Sequence, residues 1–143
     1  PGGPGVPVLV GPPDGPDGLP SAVEWAEALA RVPRFAVTIL GVGADGHTAG
    51  LFPGGPLGAD ADAPDALDVP PTGDLPHRRV TQSARRLARS DAILFVAVGA
   101  GKEAAVAAVR AGADTDRPTG AIVGPPRYLL VVSDGTSRKS TRV

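Results

Sequence analysis

The segment "AILFVAV", residues 92–98, is apolar at every position. A strand with one wet face alternates apolar and polar side chains. An unbroken apolar run of this length therefore fits a strand covered on both faces, as in a parallel sheet flanked by helices. The rest of the chain must supply that cover. "SAVEWAEALARV" (21–32) sets Ala22, Trp25, Ala26 and Leu29 at i, i+3, i+4 and i+7, one apolar helix face, with Trp25 as a core anchor. Ser21 and Glu24 have the spacing of a capping box. "GAGKEAAVAAVRAG" (99–112) reads as a turn and a helix closed by Gly112.

Further strands are predicted at "VPVLV" (6–10), "FAVTIL" (35–40), "RRVTQ" (78–82) and "RYLLVVSD" (127–134), with one or two helical turns over 83–91. Alternating strands and helices predict an α/β layered fold with a largely parallel sheet, one domain over residues 1–143. Neither an internal repeat nor an interdomain linker interrupts it. Residues 53–77 form a Pro/Gly/Asp-rich segment read as a long loop. Its five Asp between 60 and 74 lack the register and the terminal Glu of a calcium loop, so they are read as solvated. "GTSRKSTRV" (135–143) has little to bury and is expected to be a frayed tail.

Composition removes several functions. The formal net charge is −1, so no global basic field is available for nucleic acid or an anionic membrane. The chain has no cysteine, which excludes disulfides and thiolate metal sites and fits a reducing compartment. No apolar run has the length of a membrane span, and "PGGPGVPVLVGPP" at the start has neither the basic nor the long apolar region of a signal peptide. Only 2 residues are Lys against 12 Arg, which singles out Lys102.

The stretch "ILGVGADGHTAGLFPGG" (39–55) follows the second predicted strand. Gly41, Gly43 and Gly46 fit G-x-G-x-x-G, yet "HTAGLF" leaves no room for a crossover helix before Pro53. The acidic residues about 20 positions on lie in the Pro-rich loop rather than at a strand end, so a dinucleotide site is not expected. Two readings stay open on the residues alone. One is a catalytic loop at the carboxyl end of a parallel strand, with His47 as general base and Asp45 holding its tautomer. The other is a tight turn with a surface histidine.

"LGVGADGHTAGLFPG" (40–54) closely resembles the signature of 6-phosphogluconolactonases, approximately L-G-x-G-x-D-G-H-T-A-S-L-F-P-G. Gly50 stands where that family usually has Ser, a departure that loses a hydroxyl and a helix-capping contact. "RRVTQSARRLARSDAILFVAVGAGKEAAV" (78–106) resembles the family's R-[VI]-T-x-[ST] segment, apolar strand and G-x-x-K element. "PTGAIVGPPRYLLVVSD" (118–134) resembles its final turn and strand. The resemblance implies a Rossmann-like three-layer fold, shared with deaminases of the glucosamine-6-phosphate type. It also implies a cytoplasmic enzyme that hydrolyses 6-phosphoglucono-1,5-lactone without metal or organic cofactor.

In that reading His47 is the base that activates water and Asp45 supports it. Backbone N–H groups from Gly43 to Gly46 are candidate donors to the developing oxyanion, while Lys102 and Arg79 hold the substrate's anionic end. The family's Ser-Gly-Gly loop and Asp-Glu-Arg element are not found. The resemblance is therefore to the C-terminal part of a lactonase, with the N-terminal part of the family fold missing. The expectation is a chain that is poorly active alone or needs a partner to complete its sheet. A deaminase-like isomerase is the alternative, but Leu51-Phe52-Pro53 lacks the acidic residue which that group carries after its Asp-Gly-His. An inactive remnant or binding module is the third reading.

Overall fold

The computed structural model describes residues 21–71, 76–112, 114–132 and 138–143. The strand predicted at 6–10 lies outside these residues. Helix α1 spans Ala22–Ala30, and the Ser21 hydroxyl accepts from the Glu24 N–H at 3.2 Å, which satisfies one exposed donor of its first turn. It buries Ala22, Trp25 and Leu29, three of the four residues of the predicted apolar face. After α1 come β1 (Phe35–Gly41), β2 (Ala66–Val69), β3 (Arg79–Gln82), α2 (Ala84–Leu87) and β4 (Ser90–Val98). The chain continues through α3 (Glu103–Ala111), α4 (Pro118–Ala121), β5 (Arg127–Val132) and β6 (Arg138–Arg142).

The fold is mixed α/β with a mainly parallel sheet, of order β1-β4-β5-β6. Both β1 and β5 run parallel to the apolar strand β4, in registers that set Leu40 opposite Phe95 and Phe95 opposite Leu129. Ile93, Phe95 and Ala97 point to one face and are buried with Leu40, Val42 and Leu129. Leu87 of α2, Ala105, Val106 and Val109 of α3, and Ala121 of α4 complete this core. On the opposite face Val37, Ile39, Val98 and Tyr128 stay exposed and Leu94 and Val96 are half-buried, so the cover expected on both faces of β4 is complete on one face alone among the described residues. Helix α1 packs instead with β2 and β3, where Trp25 and Leu29 join Ala66, Phe35 and Val80 in a second, smaller cluster. Among the described residues no helix is long and apolar enough to cross a membrane.

Several expectations are corrected. Residues 138–142 are not frayed: β6 pairs antiparallel with β5 from Tyr128↔Arg142 to Val132↔Arg138, and the Val143 N–H donates to the Arg127 carbonyl at 2.9 Å. The outer edge of β5 presents unpaired backbone groups, and a returning strand satisfies them whatever its side chains are. Likewise, 53–77 is not loop throughout. Ala66–Val69 forms β2, antiparallel to β3, with Ala66 and Val69 buried.

Nor is every aspartate of that segment solvated. The Asp65 side chain is 12% exposed and receives Arg85, Arg86 and Arg89, with the Arg86 Nε at 3.7 Å from its Oδ2. Arg86 is fully buried. Its Nη2 donates to the Val32 carbonyl at 2.7 Å, and its guanidinium lies 4.2 Å over the Phe35 ring. One cation thus fastens α2 to the α1–β1 connection. Burial lowers the Arg86 pKa, the neighbouring Arg89 adds to this, and Asp65 opposes it.

Candidate active site

Strand β1 delivers the signature loop to the carboxyl end of the parallel sheet, where open α/β sheets place their ligands. The ladder runs one residue beyond the strand: the Val42 N–H donates to the Val96 carbonyl at 3.0 Å. From there the loop folds on itself. The Gly46 N–H donates to the Gly43 carbonyl at 3.1 Å, closing a turn that Gly46 completes at φ +89°. The Gly43 N–H then donates to the His47 carbonyl at 2.9 Å.

Asp45 and His47 meet across this turn. Asp45 Oδ1 accepts from the His47 backbone N–H at 3.1 Å and lies 2.6 Å from His47 Nδ1. Burial raises the Asp45 pKa, but the hydrogen bonds from the His47 backbone and ring and the charge of that ring outweigh it. The carboxyl is held below its usual range. An ionised carboxylate only accepts, so in the neutral form of the ring the shared proton sits on Nδ1 and Nε2 carries the lone pair. The His47 side chain is 39% exposed. On one side the ring lies 5.0 Å from the Phe52 ring, tilted by 34°. On the other it lies against Gly43, where a β-carbon would come 2.2 Å from Nδ1.

The loop's return is anchored by Thr48, fully buried, whose hydroxyl donates to the Gly41 carbonyl at 2.8 Å. Thr48 and Leu51 exchange backbone hydrogen bonds at 3.1 and 2.9 Å, and Leu51 is buried in the main core. Between them Ala49 takes φ +50°, uncommon for a residue with a β-carbon. No helix starts at Gly50, so the capping contact expected of a serine there does not arise. The Gly50 N–H is satisfied by Thr81 Oγ1 at 2.9 Å instead.

Lys102 is the N-cap residue of α3, reached through a turn in which Gly99 and Gly101 have φ +89° and +76°. Its Nζ donates to the Val42 carbonyl at 2.5 Å, which brings the ammonium to the base of the signature loop. A cleft of about 300 Å³ lies beside it, lined by Gly99, Ala100, Lys102, Glu103, Val106 and Arg110 among others. His47 and Asp45 do not line this cleft.

Arg79 is not joined to them. Its Nη1 donates to the His77 carbonyl at 2.9 Å, and among the described residues no hydrogen bond or ion pair links it to Asp45, His47 or Lys102. Of the donors expected from Gly43 to Gly46, the Gly43 and Gly46 N–H groups are consumed inside the loop. Gly43 instead makes room for the imidazole, and Gly46 permits the turn. Sequence reasoning missed Phe52, Thr48 and Thr81. All three lie within the stretches that resemble the lactonase motifs, which was the available signal.

Known proteins resemble the chain as follows. The sequence model of a family described as glucosamine-6-phosphate isomerases/6-phosphogluconolactonase matches residues 17–130. The 6-phosphogluconolactonase of Rattus norvegicus is 45% identical over 76 residues, which cover 51% of this chain and 28% of that protein. The Pseudomonas putida 6-phosphogluconolactonase is 36% identical over 110 residues, 74% of this chain and 46% of the relative. In the crystal structure of a 6-phosphogluconolactonase from Shewanella baltica, the match has a TM-score of 0.65 at 29% identity, covering 78% of this chain and 50% of that one. The chain thus spans half or less of the length of these proteins. With the family model matching most of the sequence, and the Asp45–His47 pair standing at the end of a parallel strand, the chain belongs to the glucosamine-6-phosphate isomerase/6-phosphogluconolactonase family.

Proposed function

We propose that this chain carries the general-base centre of a lactone hydrolase acting on 6-phosphoglucono-1,5-lactone. The observation that carries the reading is the 2.6 Å contact between Asp45 Oδ1 and His47 Nδ1 on a part-exposed ring, which supports Nε2 of the neutral imidazole as the acceptor. Nε2 takes a proton from water, and the resulting hydroxide adds to the lactone carbonyl. Collapse of the tetrahedral intermediate breaks the bond to the ring oxygen. That oxygen receives the proton from His47, giving the open 6-phosphogluconate and the neutral base again. Water is the only co-reactant, and neither metal nor organic cofactor enters the scheme.

The Ala44 N–H has no partner among the described residues and is the loop donor we assign to the oxyanion, in place of Gly43 and Gly46. Lys102, at the start of a nine-residue helix, offers an ammonium beside free helix N–H groups, a combination suited to a phosphate. Arg79 is kept as a second anion contact, made by substrate rather than by His47. We place the reaction in the cytoplasm. Leu51 is buried and Phe52 stacks on His47, so this stretch offers no carboxylate for an isomerase's ring-opening chemistry, which favours hydrolysis over deamination.

The test is lactone hydrolysis above the spontaneous rate, with His47→Asn alongside. Loss of the base is expected to lower the rate by about 10²–10⁴-fold. Equal rates for the two proteins would end the catalytic reading. Turnover of glucosamine 6-phosphate would redirect it to the isomerase branch of the family.

A further inference from the structure

Residues 43–55 make most of their hydrogen bonds among themselves or to the end of β1. Among the described residues, one bond made by this segment reaches a different element, from the Gly50 N–H to Thr81 Oγ1 on β3 at 2.9 Å. Its two ends are built differently. Thr81 is 5% exposed, and its hydroxyl donates to the Gln82 carbonyl at 3.2 Å, so a lone pair of that oxygen is left for Gly50. The strand beneath it is held by β2, and by the Ser83 N–H donating to the Asp65 carbonyl at 3.0 Å.

Gly50, in turn, packs without clearance. A β-carbon there would come 2.8 Å from Thr81 Cβ and 3.1 Å from Oγ1. Thr81 Cβ is branched and sits on a paired strand, so it cannot swing aside as the tip of a long side chain would. Between Gly50 and His47 the chain passes through buried Thr48 and through Ala49 at φ +50°. Two residues of constrained backbone therefore separate the Gly50 contact from the histidine.

We propose that Thr81 is a positioning residue for His47: its hydroxyl and β-carbon fix Gly50, and through Gly50 the ring that takes the proton from water. The inference rests on the hydrolase reading for its kinetic consequence, but not for its structural one.

The test uses three variants of the chain. Thr81→Val keeps the shape and removes the acceptor. Thr81→Ser keeps the acceptor. Gly50→Ala leaves the hydroxyl in place and pushes the loop off β3. Two measurements are made on each: the tautomer of His47 from its imidazole ¹⁵N shifts, and kcat and KM for the lactone.

Thr81→Val and Gly50→Ala are expected to lower kcat by about 10–100-fold at near-constant KM, the scale of an ångström-sized misplacement, and to mix the His47 tautomers. Thr81→Ser is expected to stay within about threefold of wild type, because it retains the acceptor. The inference is overturned if Thr81→Val keeps a single Nδ1–H tautomer and a wild-type kcat, or if Thr81→Ser fails as badly as Thr81→Val. If the unaltered chain hydrolyses no lactone, the functional proposal falls and the tautomer measurement decides the positioning role by itself. If Thr81→Val does not fold, Gly50→Ala and Thr81→Ser decide the matter: mixed tautomers in the first and a single one in the second support the role, and a single tautomer in both overturns it.

Discussion

The imidazole of His47 occupies the space a side chain at position 43 would need: a β-carbon on Gly43 would lie 2.2 Å from Nδ1 and 2.5 Å from Asp45 Oδ1. The glycine therefore serves its neighbours rather than a ligand. A strand end, a glycine with no volume, a turn and an aspartate together hold one nitrogen of the ring and present the other. Gly43→Ala is expected to evict the ring from Asp45 while leaving the sheet intact. The stability loss should be about 1–3 kcal/mol, the usual cost of overpacking, and hydrolysis should fall by about 10²-fold. Thermal melting and the rate measured on the same preparation separate the two effects.

Asp45 makes a prediction about pH. Its carboxyl is held below its ordinary value in the folded chain, so between the folded value and the unfolded one of about 3.9 the unfolded state binds more protons. Stability from this group is therefore fully present above the unfolded value, and it is lost as pH falls through the folded value. Asp45→Asn should remove that component. The stability difference between wild type and variant should narrow as pH drops below about 4, and denaturant titrations at several pH values would show it. A constant difference across that range would mean that the carboxylate is not held by His47 in solution. Near neutral pH the same variant should hydrolyse lactone about 10–100-fold more slowly, less than for a buried pair because both side chains are part-exposed.

Much of the fold was legible because burial leaves a pattern. The unbroken apolar run at 92–98 is β4, and the Ser21 cap and the Trp25 face are as the spacing predicts. The elements that went unread are those whose formation depends on a partner. Strand β6 is polar and exists because β5 has an edge to satisfy. Strand β2 is four residues amid Pro and Asp, and it forms where β3 pairs with it. The site divides in the same way. His47 and Asp45 are two residues apart, so their contact was visible in the sequence. The Gly50–Thr81 bond spans 31 residues and depends on how β3 is packed. The consumption of the Gly43 and Gly46 N–H groups depends on turn geometry that glycine spacing does not specify.

The Asp65 cluster yields a stability prediction with an internal ranking. Asp65 accepts hydrogen bonds from Arg85 and Arg89 and pairs at 3.7 Å with Arg86, which is wholly buried, while Arg85 is 36% exposed. Asp65→Ala leaves a buried cation facing another cation, and should cost about 3–5 kcal/mol. Arg85→Ala leaves Asp65 with two partners and should cost about 0–1 kcal/mol. Denaturant unfolding checks the order as well as the sizes. Equal effects would show that the arginines share Asp65 more evenly than the burial of Arg86 implies.

Lys102 separates binding from chemistry. Its ammonium rests on the Val42 carbonyl at 2.5 Å, at the mouth of α3, and touches neither His47 nor Asp45 among the described contacts. If it holds the substrate's phosphate, its contribution is the same in ground and transition states and appears in KM alone. Lys102→Met keeps the aliphatic stem and removes the charge. The expected outcome is a KM raised by about 10–100-fold, from the loss of one charge-assisted contact of about 1.5–3 kcal/mol, with kcat within about threefold of wild type. Inorganic phosphate should inhibit the wild type competitively and lose that effect in the variant. A fall in kcat at unchanged KM would instead mean that Lys102 acts through Val42 on the shape of the loop, and the phosphate would then belong to another cation.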